Sequence, residues 1–199
     1  MQREQQIIDR SGDESHRATA RKVHRVHRVS VTALTSLVIL LAGCSGNGQE
    51  REYAVPDTLC GTAVETDALS PFLPAGREIT VKDRSYSGSK GCEVIVDDKL
   101  IMTTTQMWMD EGTTTALFAA RQSLDTPDES TEDGRFVYSG FEAFGKTRGC
   151  VDTKYKQELY TVIQAEGSKH RDAEAMKRLI LAFTGEIEMS AGCTAGAES

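Results

Sequence analysis

The hydrophobic pattern changes character along the chain. Residues 29–42 read VSVTALTSLVILLA, an apolar run without a charge. Beyond it the pattern breaks into short periodic segments. Residues 91–96 (GCEVIV) are rich in β-branched side chains and predict a strand. Asp97-Asp98-Lys99 reads as a turn, and 100–108 as the returning arm of a hairpin. Residues 79–82 and 136–138 predict further extended segments. In 150–155, Val151, Thr153 and Tyr155 alternate with Asp152 and Lys154, which predicts a half-exposed strand. Residues 159–164 would pair back on it across Lys156-Gln157-Glu158. Two segments carry helical spacing. In 113–124, Leu117, Ala120 and Leu124 share a face; in 169–183, Met176, Leu179, Ile180 and Phe183 do, with Ser168 as the expected N-cap. Pro56 suggests a short helical turn over 55–60, and 69–74 reads as a Pro-punctuated loop or broken helix.

The order of these elements predicts an α+β fold: an antiparallel sheet of two cysteine-led hairpins, with helices packed on one side. The halves look alike. Ser89-Lys90-Gly91-Cys92 corresponds to Thr147-Arg148-Gly149-Cys150, and Thr103 and Gln106 fall on Thr161 and Gln164 at the same offset. Each hairpin is followed by a helix, so a pseudo-duplicated hairpin–helix unit is the expected origin.

The apolar run matches the core of a secretory signal and is shorter than the roughly 20 residues a membrane-spanning helix needs. A basic cluster, Arg17, Arg21, Lys22, Arg25 and Arg28, precedes it, and Leu41-Ala42-Gly43-Cys44 follows. This LAGC resembles the lipobox of bacterial lipoproteins. The resemblance implies acylation of the Cys44 thiol, cleavage before it, and a mature protein anchored at the outer face of the cell membrane. On that reading residues 1–43 are the signal peptide, 44–52 the lipidated N-terminus and flexible tether, 53–193 the ectodomain and 194–199 a disordered tail. Across 53–193 the chain also resembles uncharacterised lipoproteins of actinomycetes, through Val-Pro-Asp-Thr-Leu-Cys-Gly, Leu-Pro-Ala-Gly and the cysteine-led strands. That resemblance implies a cell-envelope protein and transfers no catalytic residue.

The 199 residues are 39% hydrophobic and 27% charged, with net charge −7, a globular balance. Residues 1–43 hold seven basic and four acidic side chains, so 23 and 30 become 16 and 26 in the mature chain, a net −10. Nucleic acid is therefore excluded as a partner. Beyond Cys44 four cysteines remain: Cys60, Cys92, Cys150 and Cys193. An even number in an oxidising compartment predicts two disulfides. Cys60–Cys92 with Cys150–Cys193 is preferred, because each pair then staples neighbouring elements; Cys60–Cys193 stays open.

Candidate chemistry is sparse. His170 is the sole histidine of the mature chain, in a polar stretch that reads as surface. Ser87 to Lys90 has Ser-x-x-Lys spacing, within what reads as a Gly-Ser turn. Asp125, Asp128, Glu129, Glu132 and Asp133 crowd an acidic loop but lack EF-hand spacing, so no metal site and no cofactor are expected. Trp108 and Met107 close a strand, and Phe141 and Phe144 lie in a Gly-flanked segment; exposed, they would form a partner-binding patch. The expected function is a membrane-anchored, non-catalytic binding or structural module of the cell envelope, its partner an unidentified envelope protein or ligand. The alternative is an envelope hydrolase with a site near His170 or Ser89.

Overall fold

The computed structural model describes residues 50–86 and 88–194. Residues 1–49, which include the expected signal peptide and Cys44, together with Ser87 and residues 195–199, lie outside the described residues. In chain order the elements are β1 (Thr58–Leu59), β2 (Thr62–Ala63), α1 (Thr66–Leu69) running into a 3₁₀ turn (Ser70–Phe72), β3 (Ile79–Asp83), β4 (Ser89–Val96) and β5 (Lys99–Asp110). Then follow α2 (Thr115–Gln122), β6 (Glu129–Ser130), β7 (Phe136–Tyr138), β8 (Glu142–Asp152), β9 (Gln157–Gln164), α3 (Ala173–Glu188) and α4 (Ala191–Thr194). The fold is α+β. Seven antiparallel strands form one sheet, ordered β3-β4-β5-β9-β8-β7-β6, and β1 and β2 pair separately.

Paired residues share a face of the sheet, so register assigns every side chain. Cys92 pairs with Thr104 and Thr104 with Ile163; Trp108 pairs with Leu159; Tyr138 pairs with Ala143, which pairs with Ile163. These make the front face. Met176, Leu179, Ile180 and Phe183 of α3 bury against it, as their spacing predicts, and Thr184 hydrogen-bonds Thr161 at 2.7 Å. Gly145 permits this closeness, since a Cβ there would stand 2.7 Å from both the Phe136 ring and the Thr161 hydroxyl.

The alternate residues form the back face, and here α2 packs: Phe118 meets Phe144 edge-on at 5.9 Å between centroids and Tyr160 at 4.9 Å. The helices therefore lie on both faces, not one. The expected buried stripe of α2 is also rotated. Leu117 and Leu124 are 45% and 55% exposed, Ala120 is exposed too, and Thr115, Phe118 and Ala119 are the buried positions. Phe118 lies one residue, about 100° of helix, from the face assigned on leucine spacing.

Other expectations shift for local reasons. α3 starts at Ala173, capped by Asp172, whose carboxylate accepts the Ala175 N–H at 2.9 Å. Ser168 instead accepts the N–H of His170. The guanidinium of Arg171 binds the carbonyls of Ala165, Glu166, Ser168 and His170, satisfying this stretch without helical bonds. The predicted strand over 150–155 ends at Asp152, whose carboxylate accepts the N–H groups of Lys154 and Tyr155 and turns the chain. The predicted helical turn at 55–60 is the β1–β2 hairpin, turned by Cys60 (φ 49°) and Gly61 (φ 86°). Residue 51, read as tether, is already docked: the Arg51 guanidinium binds Ser70 and the Leu73 carbonyl.

The two disulfides are Cys60–Cys92, joining the β1–β2 turn to β4, and Cys150–Cys193, joining β8 to α4. Among the described residues no helix is long and apolar enough to cross a membrane.

Candidate functional site

α2 covers the back face over β7 and β8, with Tyr160 and Val162 of β9 in the same apolar cluster. Over β4 and β5 that face stays open, and the opening is a groove of about 370 Å³, within the size range of ligand pockets. Thr103 and Thr105 of β5, Glu93 of β4 and Val162 and Gln164 of β9 form its floor. Gln122, at the end of α2, stands on one side. On the other rises the β3–β4 connection, carrying Arg84 and Tyr86, with Ser89 at the start of β4. That connection folds across the sheet at Gly91, where a Cβ would lie 2.5 Å from the Arg84 carbonyl oxygen. A larger residue at 91 would push the wall away.

The polar groups of the groove divide into bound and free. Arg84 ion-pairs with Glu93 and donates from Nε to the Tyr86 hydroxyl; bonding to Tyr86 first and Glu93 second holds its pKa above the usual arginine value. Gln164 donates from Nε2 to the Gln122 carbonyl at 3.0 Å and to Glu142 at 3.2 Å. Glu142 is buried and also accepts the N–H groups of Leu124 and Asp125, so it fixes the end of α2 beside the groove. The hydroxyls of Thr103 and Thr105, the Gln122 side-chain amide and Gln164 Oε1 make no hydrogen bond among the described residues. Tyr86 is 62% exposed.

A second groove of about 530 Å³ lies at the front, lined by Trp108, Gln106, Lys90, Asp83, Cys60 and Gly192 among others. The candidates read from sequence are thus dispersed. Trp108 lines the front groove and Met107, its neighbour, the back one, because strand residues alternate in direction. Phe144 is wholly buried against the Phe118 ring and presents no surface to a partner. Phe141 is half-buried beneath the Arg171 guanidinium, 4.7 Å from its ring centroid.

His170 rests edge-on against Phe72 at 5.2 Å, with Nε2 3.7 Å from Asp172. Ser89 pairs its backbone with Tyr86, and its side chain has no hydrogen bond to His170 or Lys90 among the described residues. Lys90, adjacent in β4, belongs to the opposite face. In the acidic loop, Asp133 binds Thr131, the Arg135 N–H and Arg148. These contacts, the Thr131 bond first, hold its carboxyl below the usual aspartate range. No group of three or more His, Cys, Asp or Glu among the described residues is arranged around a metal.

Sequence pattern alone does not mark the floor residues as a site. Thr103 and Thr105, two polar same-face positions inside a central strand, were the available signal. Against known proteins, no family model, no curated protein and no solved structure matches the chain.

Proposed function

We propose that this is an extracytoplasmic lipoprotein, anchored through Cys44 to the outer face of the cell membrane, that works without catalysis as a binding module. Its ligand or envelope partner occupies the back-face groove. The half-covered back face carries this reading: it leaves accessible hydroxyls unpartnered on a rigid central strand, as a recognition surface requires. The cysteines support the anchor. Four of the five are joined in pairs, which suits an oxidising compartment and leaves Cys44 as the odd thiol for acylation. We also read β4–β5–α2 and β8–β9–α3 as copies of one hairpin–helix unit. Support comes from the shared element order and from a cysteine in β4 and in β8, each tied to a segment outside the sheet.

Two measurements test the reading. In a bacterial host the wild-type protein should fractionate with membranes and begin at an acylated Cys44, while Cys44→Ala should stay unprocessed or be released; identical behaviour overturns the anchor. A cell-envelope extract should shift the methyl NMR signals of Met107 and Val162. Thr105→Trp, which fills the groove, should abolish those shifts. Unmoved wild-type signals overturn the groove as the binding site.

A further inference from the structure

We propose that the back-face groove takes a neutral, polyhydroxylated ligand, a saccharide. This rests on the groove being the binding site and adds the chemical class of what it holds.

Charge excludes most alternatives. The charged side chains lining the groove are Arg84 and Glu93, and they neutralise each other. A phosphate or an acidic peptide finds no free cation there, and the net −10 of the mature chain repels anions at longer range. A cationic ligand would have to displace Arg84 from Glu93. An extended peptide cannot add as a strand, because the backbone groups of β4, β5 and β9 already pair with one another across the floor. Recognition must come from side chains alone.

Those side chains match a sugar. Hydroxyls of Thr103 and Thr105 stand two residues apart on one face of β5, roughly 7 Å along the strand. Each can donate and accept, as can the Gln122 amide; Gln164 Oε1 adds an acceptor. Water must satisfy these groups when the groove is empty, and a ligand hydroxyl can replace it bond for bond. Leu100, 47% exposed, and half-buried Met107 supply apolar surface beside the polar groups, suited to the C–H faces of a pyranose. Tyr86, held by Arg84 through its hydroxyl, offers an exposed ring at the rim. A floor of polar groups flanked by apolar side chains, with no net charge, fits an uncharged sugar better than a lipid or an ion.

The test uses the oxidised mature protein in detergent, titrated calorimetrically with N,N′-diacetylchitobiose and maltotriose, and with pyrophosphate and pentalysine as charged probes. A neutral sugar should bind with a Kd between about 10 μM and 1 mM. Thr103→Val and Thr105→Val keep the side-chain shape and should each weaken binding by about tenfold, the loss of one hydrogen bond. Gln122→Ala, at an exposed helix end, should weaken binding with the melting temperature unchanged. Undiminished affinity in all three variants overturns the proposal, as does tighter binding of either charged probe. If the envelope extract shifts Met107 and Val162 but neither sugar binds, the sugar assignment falls while the groove remains the site. If the extract shifts nothing, both fall.

Discussion

Asp97 and Asp98 turn β4 into β5 with φ of 46° and 63°, a left-handed conformation that non-glycine residues adopt at a cost. The two are not equivalent. Asp97 accepts the N–H groups of Arg77 and Glu78 at 3.0 Å each, fastening the entry of β3 to the turn. The Asp98 side chain makes no hydrogen bond among the described residues. Asp98→Gly should therefore stabilise the fold by about 0.5–1 kcal/mol, through a turn of the Asp-Gly type. Asp97→Ala should destabilise it by about 1–2 kcal/mol, the loss of bonds to a carboxylate. Urea denaturation of the two variants checks both signs, and a stabilising Asp97→Ala would contradict the assignment.

At the level of elements, α2 is the piece that shapes the groove, and one side chain holds it. Phe118 is its large buried residue, set between Phe144 and Tyr160, while Thr114 caps its start by accepting the Leu117 N–H. Phe118→Ala should cost about 3–5 kcal/mol and raise hydrogen exchange across Thr115–Gln122 more than across α3. Equal exchange in the two helices would place the anchor of α2 elsewhere. The same helix marks how far the sequence was legible. Where one apolar stripe dominates, as in α3, period alone predicted the buried residues. In α2 two stripes compete, Leu117/Leu124 and Phe118/Ala119, and only the partners Phe144 and Tyr160, distant in sequence, decide between them. The main hairpin was legible because its strands are consecutive, and the disulfide pairing because each bond stays within one half of the chain. Which face each helix covers was not, since that depends on β5 meeting β9, a pairing that local pattern does not encode. The groove is invisible for the same reason: its hydroxyls come from β5 and its walls from α2 and the β3–β4 connection.

For the molecule as a whole, each disulfide closes a loop of 32 or 43 residues, worth about 4 kcal/mol by loop entropy. Their accessibility differs. Cys150 and Cys193 are 1% and 5% exposed, whereas Cys60 lies on the surface at the wall of the front groove. Exchange requires approach of a thiolate, so mild reductant should open Cys60–Cys92 first. Timed alkylation and peptide mass analysis should find Cys60 and Cys92 labelled before Cys150 and Cys193; the reverse order would mean that α4 opens more readily than the β1–β2 turn. Losing the first bond frees that turn from β4 and leaves α4 fastened.

Trp108 is the sole tryptophan, and it lies on the face of β5 opposite Thr103 and Thr105. The molecule thus carries an optical reporter for one side only. Occupancy of the front groove should alter the indole emission directly, whereas a guest among the threonines would leave the fluorophore dark to its arrival. A silent emission spectrum beside a calorimetric signal would say which side of the sheet is filled.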